Sequence, residues 1–469
     1  MPLAAPSSDR VIADLRALAA RTSNERGAQR VAWGPVWREA RAWFAETVTA
    51  DLKLPLQTDP AGNQWVTLPG ASTRSVVFGS HLDSVPGGGW LDGVLGVVAG
   101  IEALRRHAAG GTPPVTLHLV DWADEEGARY GRSLTGSAAS AGTLDAQKEL
   151  AHLVDRNGVK LPDALRENGV ELARMGEAHA WLKARDPRAY VELHIEQGPV
   201  LEAMKKPVGV VLGTMGVERH TVRFVGQAVH AGATPIPLRR DAFLAAAEFA
   251  LACREIAKEF SGRTPRTRVV ATCGVVKVEP GFVTAVSGVT EISLDLRALD
   301  AAVLAKMQKA AEKAARKAAK GNRCEVSWSP LLSIEPRPFD PTLLTFCEDA
   351  VREVAGDAPK LPSGPLHDAA EMAGIMPTVM VFAQSSPGIS HTRLEDTPIP
   401  HLDKSIRAFS APRREDRRPR RRAPLNRDRA RQPRGSNRRA RRTTESGEGD
   451  LQRWIERAPI APCAPLARS

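Results

Sequence analysis

Two rhythms of apolar positions alternate along this chain. Around residues 11–18 and 36–48 they recur at helical spacing, which predicts helix over much of residues 1–50. Compact apolar runs then take over. Residues 75–79 (SVVFG), 115–122 (VTLHLVDW) and 190–195 (YVELHI) predict strands, with a helix over 95–107 (LGVVAGIEALRRH) between the first two. Buried strands alternating with helices predict an α/β fold built on a mainly parallel sheet. From 208 the order changes. A strand at 221–225, a helix at 240–260, strands at 269–278 and 291–297, a helix at 301–320 and a strand at 324–328 make a β-α-β-β-α-β unit, self-contained enough to be an insertion. Past 330 the first rhythm returns, with a strand at 377–383 (PTVMVFA), and the globular pattern ends near 411.

Composition supports this division. Of the 469 residues, 42% are hydrophobic and 25% charged, which are globular proportions at a length suited to two or three domains. No apolar run reaches the roughly 18 residues that span a bilayer. The first twenty residues lack the basic and then apolar order of a signal peptide. Five cysteines without a CxxC pair speak against a disulfide framework or a thiolate zinc site, so a cytoplasmic protein is expected. The net charge of +11 lies in one place. Residues 412–469 hold 18 Arg and 7 acidic residues, whereas the rest is balanced at 47 and 47. That Arg- and Pro-rich tail has no hydrophobic period and is expected to be disordered. It reads as an inert appendage, as an arm for nucleic acid or another acidic partner, or as out-of-frame translation of a gene end. The neutral body argues against nucleic-acid binding by the rest of the chain.

Polar residues with chemistry gather where predicted strands end. In Gly79-Ser80-His81-Leu82-Asp83, an extended backbone puts His81 and Asp83 on one face, and Asp92 follows a Gly-rich turn. Taken alone this is a weak signal that a surface histidine and a helix-capping aspartate more often explain. Asp121, Asp124, Glu125 and Glu126 crowd four acids into six residues, which repel unless a positive group neutralises them. Glu192, His194 and Glu196 alternate onto one face of a strand that otherwise looks buried, so they need partners. His391 closes a fourth group, Gly388-Ile389-Ser390-His391. Together these place acids and imidazoles at the C-terminal ends of four predicted strands, the edge where open α/β sheets bind ligands. Histidine and carboxylate without cysteine suits catalytic zinc and its harder relatives.

The order GSHLDSVPGGGWLDGVLGV, DEEGARYG, VELHIEQGPVLE, HAGATPIPLRRDA and GISH resembles the N-carbamoyl-L-amino-acid hydrolase and allantoate amidohydrolase group, over about residues 10–410. These are dinuclear metal-dependent amidohydrolases related to metallo-aminopeptidases and carboxypeptidases. The resemblance implies an aminopeptidase-like mixed sheet flanked by helices, with an inserted ferredoxin-like α+β domain that acts as a lid and makes a homodimer. The catalytic domain would then comprise 1–207 and 326–411, the lid 208–325 and the tail 412–469. It also implies two divalent metal ions, zinc or else manganese, cobalt or nickel. His81, Asp92 and His194 resemble the ligands of one; Asp92, Glu126 and His391 resemble those of the other, with Asp92 bridging. Asp83 resembles the partner of the first histidine, and Glu125 the general base. His230 resembles a histidine that reaches the substrate across the dimer, Arg297 the arginine that grips a substrate carboxylate, and Gln197 a further substrate contact. The implied reaction is hydrolysis of a linear C–N bond in a small ureido or amidino acid. A peptidase or aminoacylase on the same scaffold is the alternative.

Departures concern the substrate. Where the family reads PGAVNVIPG, residues 280–288 read PGFVTAVSG, so Thr284 replaces an asparagine and a hydroxyl replaces an amide. Pro365 and Leu366 stand where SGAGHDA has two small residues, and Ala233 removes a hydroxyl from the HAGTTP motif. A binder impaired in catalysis would carry such changes.

Overall fold

The computed structural model describes residues 3–264 and 267–410. The tail expected at 412–469, with its three readings, lies outside the described residues.

The larger sheet has nine strands. At its centre four strands run parallel as neighbours: Thr378–Ala383, Pro187–Ile195, Ser75–His81 and Thr116–Trp122. The outer pairings are mainly antiparallel. Gln64–Leu68 adds beside Thr116–Trp122, and Val208–Thr214 beside Thr378–Ala383. The sheet is therefore mixed, with the expected parallel arrangement confined to its middle. The central strands are nearly continuous apolar runs because both their faces are covered. One face packs on helices Ser8–Thr22, Pro35–Leu52 and Val94–Ala109 through residues such as Leu15, Phe44 and Leu104. On the other side, Trp65, Trp122, Tyr190 and Phe382 form a second core.

The smaller sheet is antiparallel, with main order Val270–Thr272, Val289–Ala298, Gly216–Val225, Glu325–Ile334. Helices Ala242–Phe260 and Ala301–Gly321 cover one face around Phe224, Phe249, Leu294 and Met307. Aspartates cap both helices, Asp241 and Asp300 each accepting two backbone N–H bonds.

Three expectations change, the first being the end of the insertion: Glu325–Ile334 bonds wholly within the smaller sheet, so the return to the larger sheet falls at Arg337 and not at 326. Val208–Thr214, grouped with the insertion by sequence, bonds in the larger sheet, so the crossing between sheets falls at Met215. The single strand expected over 269–278 is two, Val270–Thr272 and Val276–Glu279. The Ser293 hydroxyl accepts the N–H groups of Gly274 (3.2 Å) and Val275 (2.9 Å), taking both out of the ladder while the flanking pieces still pair with Val289–Ala298. Among the described residues no helix is long and apolar enough to cross a membrane. Cys253, Cys273, Cys324 and Cys347 form no disulfide.

Candidate metal centre and substrate cleft

Because the four central strands are parallel neighbours, their C-terminal ends share one edge of the sheet. His81 ends one strand, Glu125 and Glu126 lie in the turn after the second, His194 is near the end of the third, and His391 follows the fourth.

The ligand atoms of His81, Asp92 and His194 lie within 4.8 Å of one another, as do those of Asp92, Glu126 and His391. Asp92 belongs to both triads. Its Oδ1 is 3.4 Å from His194 Nε2 and its Oδ2 is 3.6 Å from His391 Nε2, which is itself 3.4 Å from Glu126 Oε2. His194 Nδ1 bonds the Ile195 carbonyl at 2.9 Å, so its Nε2 is left buried with no hydrogen-bond partner. A buried lone pair aimed at carboxylates is what a metal ligand requires of its imidazole. Gly93 keeps this space open: its φ is +68°, and a Cβ there would come within 2.4 Å of the His81 ring. The donor set thus fits two divalent cations.

The four clustered acids separate by role. Asp121 accepts from Arg41 Nε at 2.7 Å, and Asp124 accepts from the Trp33 indole at 2.8 Å, so both are structural. Glu125 and Glu126 face the imidazoles, with Glu125 Oε2 3.7 Å from His81 Nε2. Asp124, Gln197 and His391 all have φ near +60°, an uncommon conformation for residues with a Cβ, and they cluster at this edge.

Burial and mutual repulsion dominate the electrostatics. Burial raises Glu126 to about 8, with Asp92 adding to the effect. Glu125 is raised well above its ordinary value by burial, against the opposing pull of His81. Burial lowers His194 to about 4. Burial alone would also lower His81, but Glu125 and Asp83 carry it well above the usual range. A divalent cation would reverse the carboxylate shifts by stabilising the charged forms.

Asp83 faces His81 with both its backbone carbonyl and its carboxylate. The Nδ1 of His81 lies nearer the Asp83 backbone oxygen (3.1 Å) than its carboxylate (3.5 Å). Glu192 is saturated by Ser80 Oγ, the Tyr190 hydroxyl and the Ala369 N–H. Glu196 turns to the Val200 and Leu201 N–H groups.

Residues overlooked in the sequence complete the centre. His367 lies against His194, with ring centroids 4.3 Å apart and planes inclined at 58°, and its Nε2 is buried with no hydrogen-bond partner among the described residues. Its ligand atom also groups with those of Glu192 and His194. The HDA triplet, noted only for its neighbours, was the available signal. Arg30 is wholly buried, donates to the Leu82 carbonyl at 2.7 Å, and feels Asp92, Asp83, Glu395 and Glu126. Glu395 is buried beside Ser390, and burial raises it to about 8. No spacing rule points to either.

The centre adjoins a cleft of about 480 Å³ between the two sheets, lined among others by Gln197, Arg219, Arg268, Asp295, Arg297 and Gly364. Gln197 Nε2 donates to both oxygens of Asp92 at 3.1 Å, which makes it the link between centre and cleft. Arg297 is paired with Asp295. His230 and Thr284 are both exposed, His230 pairing with Ala285 on a two-strand ladder that Thr284 immediately precedes, and neither lines this cleft. His230 Nδ1 accepts the N–H groups of Gly232 and Ala233 at 3.1 and 3.2 Å, which leaves Nε2 as the position for a proton.

Known proteins resemble this chain over most of its length. The sequence model of Peptidase family M20/M25/M40 matches residues 77–411. An N-carbamoyl-L-amino acid amidohydrolase from Geobacillus stearothermophilus is 38% identical over 353 residues, covering 72% of this chain and 81% of that protein. An allantoate amidohydrolase from Escherichia coli is 32% identical over 390 residues, covering 82% and 92%. A crystal structure of an amidase of the hydantoinase/carbamoylase family from Burkholderia multivorans superposes with a TM-score of 0.77 at 29% identity, covering 87% of this chain and 97% of that one. The chain therefore belongs to Peptidase family M20/M25/M40, among its amidohydrolases.

Proposed function

We propose that this protein hydrolyses a linear C–N bond in a small ureido or amidino acid, an N-carbamoyl-L-amino acid or allantoate, with Glu125 as general base. The observation that carries the reading is that two ligand triads share Asp92 while the Glu125 carboxylate lies 3.7 Å from one of their imidazoles. His81, Asp92 and His194 would hold one divalent ion and Asp92, Glu126 and His391 the other. Such a pair supplies a polarised carbonyl and a water acidic enough to attack at neutral pH. Glu125 would take a proton from the attacking water and return it to the leaving nitrogen, a task for its charged form, which bound cations would favour. Gln197 and Arg297 hold the substrate from the cleft. Thr284 offers a hydroxyl beside His230.

The smaller sheet acts in this reading as a lid and as the surface of a homodimer. Val276 and Val278 are exposed on strand Val276–Glu279, and Leu244 and Leu251 are exposed on helix Ala242–Phe260. An exposed apolar strand is a liability that a partner strand removes. The position of His230 outside its own chain's cleft supports its acting in the partner's site, where Nε2–H would donate to the developing oxyanion.

The test is ammonia release from allantoate and from several N-carbamoyl-L-amino acids, after reconstitution with zinc, manganese, cobalt or nickel. Turnover of peptides or N-acyl amino acids in preference would transfer the assignment to a peptidase or aminoacylase.

A further inference from the structure

Three guanidinium groups stand on the cleft wall formed by the smaller sheet, and their pairing differs. Strand Val289–Ala298 alternates, so the Ile292, Leu294 and Leu296 side chains are buried while Asp295 and Arg297 face the cleft. Asp295 lies between two arginines. Its cross-strand neighbour Arg219 donates to Oδ2 from Nε at 3.0 Å and from Nη2 at 2.7 Å. Arg297 donates from Nε at 2.8 Å and from Nη2 at 3.2 Å, and turns Nη1 to the Gly364 carbonyl at 2.9 Å. These two cations share one carboxylate. Together they carry one excess positive charge, enough for one substrate carboxylate.

Arg268 is different. It precedes by two residues Val270, which pairs with Arg297, and it continues the face that Val270 and Thr272 present to the cleft. Its guanidinium has no hydrogen-bond partner among the described residues. Burial works against its charge, and Glu196 is the carboxylate that favours it. Glu196 accepts the Val200 and Leu201 N–H groups at 2.8 and 2.7 Å and forms no ion pair with Arg268 within 4.0 Å. Arg268 Nη2 lies 3.7 Å from where a Cβ on Gly364 would sit, so Gly364 has Arg297 at its carbonyl and Arg268 at its α-carbon. Gly364 belongs to the segment, 363–366, in which this chain reads SGPL.

We propose that Arg268 is an anchor for a second acidic group of the substrate, so that the preferred ureido acids carry a carboxylate side chain. This rests on the amidohydrolase reading above and adds to it a substrate class. A partly desolvated guanidinium with five donors and no direct ion pair among the described residues is stabilised by a carboxylate in a way that a neutral side chain cannot match. Arg297 keeps its role toward the first carboxylate.

The experiment compares kcat/KM for N-carbamoyl-L-aspartate and N-carbamoyl-L-glutamate with their isosteric amides, N-carbamoyl-L-asparagine and N-carbamoyl-L-glutamine, using the metal-reconstituted full chain. The native protein should favour the acids by roughly tenfold or more, the size of one charge-assisted hydrogen bond. Arg268→Met should abolish that preference, mainly through KM for the acids, and Arg268→Lys should restore part of it. An absent preference in the native protein overturns the proposal, as does an equal loss on acids and amides in Arg268→Met. Turnover of allantoate or of aliphatic N-carbamoyl amino acids, with none of the four compounds cleaved, overturns it while sparing the amidohydrolase reading. Failure of every ureido substrate removes that reading itself, and this proposal with it.

Discussion

Asp83 accepts the backbone N–H of Glu126 at 3.1 Å on one carboxylate oxygen and that of Glu125 at 3.2 Å on the other. One buried side chain at the end of the Ser75–His81 segment thereby holds the acidic turn that follows the neighbouring strand. The position of Glu125 beside His81 depends on this clamp more than on the turn's own sequence. Asp83→Ala would leave the buried Glu125 N–H and the half-buried Glu126 N–H without their acceptor. Metal affinity should fall about ten- to a hundredfold, as when the supporting partners of metal ligands are removed. Titration calorimetry with the chosen metal checks this, and unchanged affinity would show that the turn holds itself.

Glu125 touches the imidazole of His81 but belongs to neither triad. Glu125→Gln should therefore keep two equivalents of metal while kcat drops by roughly a hundred- to ten-thousandfold, the range for loss of a positioned base. Elemental analysis of the purified variant beside its turnover separates the two roles. A variant that loses metal as well would make Glu125 a ligand.

Arg30 is a buried cation whose charge is favoured by the acids at the metal centre, Asp92 foremost. In metal-free protein it offsets their repulsion, whereas bound cations would do that themselves. Arg30→Met should cost the metal-free protein about 3 kcal/mol or more of unfolding free energy, the scale for breaking a buried charge pairing. It should cost the metal-loaded protein less, and Arg30→Lys should recover much of the loss. Urea unfolding with and without metal measures the difference, and an equal cost in both states would leave Arg30 a purely structural donor to Leu82.

The pH dependence of metal uptake follows from Glu126. In metal-free protein burial raises it to about 8, so at pH 7 it is mostly protonated and must lose that proton to bind a cation. His81, held protonated well above the usual imidazole range, must give up its proton as well, so apparent affinity should rise with pH up to and beyond pH 8. Calorimetry in buffers of different ionisation enthalpy should record proton release at pH 7 and less at pH 9. Release that grows with pH would contradict the assignment.

Local patterns carried far in this chain. Apolar spacing marked the helices that became Ser8–Thr22, Pro35–Leu52 and Ala301–Gly321, because a helix exposes its period directly in sequence. Short apolar runs marked the four central strands, and the polar groups at their ends marked the centre. Periodicity was silent where structure depends on distant partners. Val208–Thr214 looks the same whichever sheet takes it, and the Ser293 hydroxyl that divides the 269–278 run lies on another strand.

Residue types and their order alone determined that imidazoles and carboxylates sit at strand ends, and motif order pointed to the family. Only the tertiary structure decided that those ends are parallel neighbours, that Asp92 serves both triads, and that Asp121 and Asp124 turn away to Arg41 and Trp33. It also brought in Arg30, His367 and Arg268. The reason is physical: a side chain's pairing, burial and charge environment are set by residues far away in sequence, and only packing brings those residues within a few ångströms.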